Sequence, residues 1–117
     1  MLLEKEQKLK EGITERHVKA FLDLLILGIL NGRSMYGYKI IGAVHKEFGV
    51  LLSPGSLYPL LHSLEDNTLI ESRFNGGKIV YAVTLKGKKK FQNVFTAYKT
   101  AMRKMENFIK VHGEDSS

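Results

Sequence analysis

The chain has 117 residues, 44% hydrophobic and 26% charged. That is the composition expected of one globular domain with at most one accessory element; it argues against a disordered chain or a collagen-like repeat, and the length leaves little room for a second catalytic domain. It contains 0 Cys, so disulfides and thiolate metal sites are ruled out. Eighteen basic against twelve acidic residues give a formal net charge of +6, which favours a polyanionic partner such as nucleic acid. The excess is concentrated in residues 85–113, whereas residues 53–67 are net acidic through Glu65 and Asp66.

In chain order, Leu2, Leu3, Leu9 and Ile13 make a weak apolar pattern among alternating Glu and Lys, which predicts an N-terminal arm or short helix over 1–13. This is the wrong chemistry for a secretory leader. Thr14 is placed to cap a helix from Glu15 to Leu30 whose far half is apolar on all sides, the central core helix. The apolar run Val18 to Leu30 includes Lys19 and Asp23 and falls short of the ~20 residues of a membrane span. The expected location is the cytoplasm. Asn31-Gly32 ends the core helix, and a second helix runs from about Tyr36 to Phe48 and stops at Gly49.

Ser53 is a good N-cap and Pro54 a good first residue for a third helix. Pro59 is expected near enough to that start for its missing amide to be one of the unpaired ones. Leu57, Leu60, Leu61 and Leu64 share its inner face, leaving Ser56, Tyr58, Pro59, His62 and Ser63 outside. Strands over Leu69 to Phe74 and Lys78 to Thr84 meet at Asn75-Gly76-Gly77 as a hairpin. Thr84 caps a last long helix over 85–113, and 114–117 is expected to be a disordered tail.

Three helices, the second and third joined by a short turn, followed by a hairpin, form a winged helix-turn-helix. The fold class is thus mainly α with a small β-hairpin, with the winged domain over 14–84 and a long C-terminal helix after it. Met35-Tyr36-Gly37-Tyr38-Lys39-Ile40, then Leu52-Ser53-Pro54-Gly55-Ser56-Leu57-Tyr58-Pro59-Leu60-Leu61, Leu64-Glu65, Leu69-Ile70 and Tyr81-Ala82-Val83-Thr84-Leu85-Lys86-Gly87 resemble the PadR family of transcriptional regulators. The resemblance covers roughly Leu22 to Gly87, and the Ser53 to Pro59 run is its most specific part. It implies a homodimeric, repressor-type DNA-binding protein with a C-terminal dimerisation helix of the short kind. In some short members, flat hydrophobic effectors bind between subunits against a Trp of the last helix. This sequence has no Trp.

The DNA-contact candidates are Tyr36, Tyr38, Ser53, Gly55, Ser56, Tyr58, Pro59 and His62 on the helix pair, Arg73 and Lys78 at the wing, and Lys88, Lys89 and Lys90. A small polar helix face can approach duplex DNA closely, donate to phosphates and base edges and pack against thymine methyls. Lysines in the first turns of a helix oppose its dipole by ~0.3–1 kcal/mol each, which suggests an anionic partner. Phe91, Phe95, Tyr98, Met102, Met105 and Ile109 step by four and three, a heptad-like seam widened by Val94, Ala101 and Phe108. From these, Phe95, Tyr98, Met102, Met105, Phe108 and Ile109, with Leu3 and Leu9 from the arm, are the dimer-interface candidates. The Met and Phe of the seam also suit an adaptable pocket for a hydrophobic effector.

No cofactor and no metal are expected. His17, His45, His62 and His112 are scattered without metal-ligand spacing, and Gly37 to Gly42 lacks the Lys and Ser/Thr of a phosphate loop. The expectation is a non-enzyme. The competing reading is a winged-helix module that binds protein in a transcription assembly, supported by the acidic third helix. A coiled-coil adaptor would leave the Ser53 to Pro59 turn and the hairpin unexplained.

Overall fold

The computed structural model describes residues 2–114. Its element order is α1 (Leu2–Ala20), α2 (Leu22–Ile29), β1 (Met35–Tyr36), α3 (Gly37–Phe48), α4 (Pro54–Asp66), β2 (Ile70–Asn75), β3 (Lys78–Val83) and α5 (Leu85–Glu114). The mainly helical winged architecture read from the sequence is present, with three departures at its N-terminal side. The expected arm over 1–13 and the helix after Thr14 are one continuous helix, so Thr14 caps nothing. Pairs four residues apart, Lys10–Glu6 and Lys19–Glu15, support that exposed helix along its length.

The expected single core helix breaks at Phe21, which leaves the helical basin at φ −118 and ψ 28. Hydrogen bonds nevertheless run across the break, from Phe21 N to His17 O and from Leu25 N to Phe21 O. The joint is therefore a kink, and it turns the Phe21 ring edge-on to Tyr98 at 4.8 Å. Beyond it, α2 buries Leu22, Leu24, Ile26 and Leu27. The third departure is β1, which was expected as loop and helix start. Met35 and Tyr36 pair with Tyr81 and Val80 of β3, giving a three-stranded antiparallel sheet of order β1-β3-β2.

Ile26, Leu30, Ile40, Val44, Leu57, Leu61 and Ile70 are almost wholly buried and form one core shared by α2, α3, α4 and the sheet. Ser53 caps α4 as expected, its Oγ accepting from Ser56 N at 3.1 Å. Pro59 is sixth in α4, too late for its absent amide to be one of the orphan donors. Instead the Gly55 carbonyl receives no bond from the residue four ahead. Glu114, expected as the first residue of a tail over 114–117, is instead the last of α5, and 115–117 lie outside the described residues.

The joint between α4, the wing and α5 is tight. Thr84 Oγ1 donates to Thr68 O at 2.7 Å and accepts from Gly87 N at 3.0 Å. Thr84 N donates to Leu69 O at 3.1 Å. A Cβ on Gly87 would stand 2.0 Å from that same Leu69 carbonyl, so only glycine lets the first turn of α5 lie on the chain there. The 30-residue α5 spans about 45 Å. It gives the chain a radius of gyration of 17.2 Å, against ~13 Å for a compact chain of this length.

Gly87→Ala is expected to lower stability by about 1–3 kcal/mol through this overlap. Gly42→Ala, on the open side of α3 with nothing within 4 Å, should raise it by up to ~1 kcal/mol. Urea unfolding of the two variants beside the parent chain checks both signs.

Candidate nucleic-acid interface

The N-terminal half of α4 is the exposed edge of the helix-turn-helix. Leu57, Leu61 and Leu64 are buried and Leu60 is half-buried, which turns Ser56, Pro59, His62 and Ser63 to solvent as the periodicity requires. Ser53 Oγ donates to Ser56 Oγ at 3.1 Å. Both hydroxyls thus support the helix start, and the Ser56 hydroxyl proton remains to donate outward. Tyr38, at the start of α3, is exposed and shares a shallow groove with Leu51, Ser53 and Pro54. Tyr38, Ser53, Gly55 and Ser56 are thereby brought to one edge.

Tyr58 departs from the outward position expected for it. It is half-buried against the core, and its ring occupies the space beside Gly37, where a Cβ would fall 2.5 Å from the phenol oxygen. Its first role is to seat α4 on α3. Behind it Tyr81 is buried, and that burial, with Tyr58 and Glu65 near, pushes the Tyr81 phenol above its ordinary 10.0. Glu65 accepts a short hydrogen bond from Ser72 Oγ, which ties the acidic end of α4 to β2.

The hairpin has two unlike faces, set by register and alternation. Ile70/Val83, Ser72/Tyr81 and Phe74/Ile79 share the face toward α4. Arg73 and Lys78 lie on the other face with Val80 and Tyr36, and the Lys78 ammonium sits 4.3 Å over the Tyr36 ring. Tyr36 is thus joined to the wing through β1. The exposure of Phe74 and Ile79 was not anticipated, although the pairing of the two strands carried the signal: it extends the core-facing row beyond the last core residue.

Lys88, Lys89 and Lys90 are exposed and leave from the C-terminal end of α4, about 20 Å along that helix from Ser53. Their neighbour Lys86 is engaged: its Nζ donates to Asn67 O and Thr68 Oγ1, both at 3.0 Å, where α4 ends. A cation at a helix C-terminus is favourable. Along α5, Phe91 and Tyr98 are half-buried on their own domain. Met105, Phe108 and Ile109 are 55%, 65% and 62% exposed. Phe95, Tyr98 and Phe21 border an apolar groove of about 520 Å³ between α1, α2, the end of α3 and α5, with His17 and Glu47 also in its lining. Leu3 and Leu9 are exposed on α1. Among the described residues no cluster of His, Asp and Glu could hold a metal ion, and no helix is long and apolar enough to cross a membrane.

A sequence profile described as the transcriptional regulator PadR-like family matches residues 26–93, more than half of the chain. The chain belongs to the PadR-like family. Its fold is shared with a transcriptional regulator from Clostridium thermocellum, at 20% identity and a TM-score of 0.74, covering 80% of this chain and 98% of that one. It is shared also with a PadR family transcriptional regulator from Eggerthella lenta, at 21% identity and 0.77, covering 90% and 96%. A PadR-like transcriptional regulator from Bacillus cereus is 26% identical with a TM-score of 0.73, covering 80% and 96%. No curated protein matches the chain. As a PadR-like regulator, the chain places the features above on a winged-helix DNA-binding fold.

The raised Tyr81 pKa has a definite sign. The unfolded chain loses the phenol proton first, near 10.0, so the contribution of the neutral buried phenol is whole below that pH and is lost as pH rises toward the folded value. Chemical denaturation at neutral pH and above pH 10 should show parent stability falling more steeply than that of Tyr81→Phe.

Proposed function

We propose that this PadR-like chain is a cytoplasmic repressor that binds palindromic duplex DNA as a homodimer and catalyses no reaction. The observation that carries the dimer is the apolar end of α5, where Met105, Phe108 and Ile109 remain mostly exposed among the described residues. A soluble monomer does not normally carry such a stripe. Two copies crossing at Phe95, Tyr98, Met102, Met105, Phe108 and Ile109 would cover it, with Leu3 and Leu9 of α1 closing the edge, in a self-complementary two-fold contact. Two-fold symmetry then sets the α4 helices about one turn of DNA apart, roughly 34 Å.

In this reading Ser53, Gly55, Ser56, Pro59 and His62 meet the major groove, Tyr36 and Tyr38 stand beside them, and Tyr58 contributes mainly by holding α4 in place. Arg73 and Lys78 contact phosphates from the wing. Lys88, Lys89 and Lys90 contact the duplex farther out, beyond the C-terminal end of α4. The apolar groove beside Phe21, Phe95 and Tyr98 is the place for a hydrophobic effector, bordering the seam.

One observation favours the competing reading, a protein-binding winged helix: α4 has no Lys or Arg and carries Glu65 and Asp66. The bidentate Arg–guanine contact is therefore not available to it. Glu65 is half-buried and accepts from Ser72, which turns its carboxylate toward β2 and leaves Asp66 as the exposed acid of α4.

Fluorescence anisotropy on duplexes from the region upstream of its own gene separates the two readings, since DNA binding must weaken with salt. Changing Lys88, Lys89 and Lys90 together to Ala should weaken all duplexes alike and flatten the slope of log K against log salt by about one unit per lost contact. Ser56→Ala should lower preference for the chosen site with little change in that slope. No binding at low salt would remove the DNA reading.

Ile109 is exposed in the single chain, so Ile109→Asp should leave the fold intact while placing unpaired charges in the proposed seam. Sedimentation at micromolar concentration should show a dimeric parent and a monomeric variant. A monomeric parent would remove the dimer.

A further inference from the structure

The wing carries an apolar pair that the fold does not need. Phe74 is 77% exposed and Ile79 is 50% exposed, and they face each other across the hairpin. They continue the row of Ile70/Val83 and Ser72/Tyr81, the row that lies on α4, but one step past the last buried residue. Ile70 and Tyr81 already fix the hairpin to the core. Phe74 and Ile79 therefore form a knob overhanging the α4 side of the wing. Their opposite face carries Arg73 and Lys78, and the tip beyond them is Gly76-Gly77, both at positive φ and bare of side chains.

A face with two cations toward the tip and Glu71 at its base, an apolar face and a blank tip fit a narrow cleft with anionic walls and an apolar interior. The minor groove of duplex DNA is such a cleft: phosphates flank it, and sugars and stacked base edges line it. The cations of the wing support that occupant. Since α4 has no Lys or Arg, Arg73 and Lys78 are the cations of the adjoining wing that can complement DNA on this side. The sheet also runs along α4, with Ser72 bonded to Glu65 and Tyr36 beside the Gly37 that receives Tyr58. The knob thus flanks the same helix that meets the major groove.

The geometry points to Phe74 and Ile79 as an apolar wedge that enters the minor groove next to the segment taken by α4. This inference rests on the proposed DNA binding and deepens it. Apolar side chains in the minor groove part a base step and bend the duplex, most cheaply at flexible pyrimidine–purine steps. The wedge would therefore select sequence at a flanking position that no hydrogen bond reads, compensating for a recognition helix without arginine.

The test uses the full chain and a duplex that it selects from a randomised pool, with 2-aminopurine placed at successive flanking positions. Phe74→Ser and Ile79→Ser alter exposed side chains, and their melting temperatures and sedimentation serve as controls. The parent should raise 2-aminopurine fluorescence at one flanking step. Phe74→Ser should abolish that rise and weaken binding about ten-fold, the scale of one lost base–aromatic contact. Trimming the flank should bring the parent down to the affinity of the variant and leave the variant unchanged. Equal affinity and equal fluorescence for parent and Phe74→Ser would overturn the wedge while leaving DNA binding standing. A changed oligomeric state in the variants would overturn it too, by assigning the knob to a contact between copies. A parent that selects no duplex ends the DNA reading and the wedge with it.

Discussion

The winged domain is organised by one close approach, the Tyr58 ring in the space that a glycine at position 37 leaves open. The contact joins α4 to the first residue of α3, and through the neighbouring Tyr36 to the sheet. Interiors are packed at nearly crystalline density, so a ring seated this closely fixes the angle of its helix as well as its position. The outward set of α4, with Ser56, Pro59 and His62 in solvent, follows from that seating. A phenol half-buried for this purpose is poorly placed to lead in recognition, and the exposed hydroxyl and imidazole beside it are the better candidates.

Charge is distributed with similar economy. The acidic end of α4 is tied down twice, by the Glu65–Ser72 bond and by the Lys86 ammonium on the carbonyl of Asn67. Lys86 belongs by sequence to a basic run and by geometry to the end of a different helix. A cluster that looks uniform along the chain therefore divides into one structural cation and three exposed ones. The wing cations are held on the face away from α4, with Lys78 resting on Tyr36.

Much of this was legible in the sequence because it follows from short-range chemistry. Ser53-Pro54 states a helix start in two residues, the leucines of α4 state its buried face, and Asn75-Gly76-Gly77 states a hairpin. What could not be read depended on contacts distant in sequence. Nothing local breaks the chain at Phe21, where the partner is Tyr98, and nothing local makes Met35-Tyr36 a strand, whose partner β3 lies more than forty residues on. Tyr58 looked outward because periodicity assigns a face but does not show what a neighbouring glycine leaves vacant. On α4, residue types marked the edge that is exposed, while the exposure of Phe74 and Ile79 emerged only once their register placed them beyond the core.

The joint at Gly87 has a mechanical consequence. With Leu69 against the backbone of the first turn of α5, and Thr84 bonded to Thr68 and Leu69 just past the end of α4, there is no soft linker between α4 and the long helix. The two form a bent lever, with a short arm of thirteen residues in α4 and a long arm of thirty in α5. Any ligand or partner that tilts the long arm must swing the short one with it, because the fulcrum has no slack in which to absorb the turn.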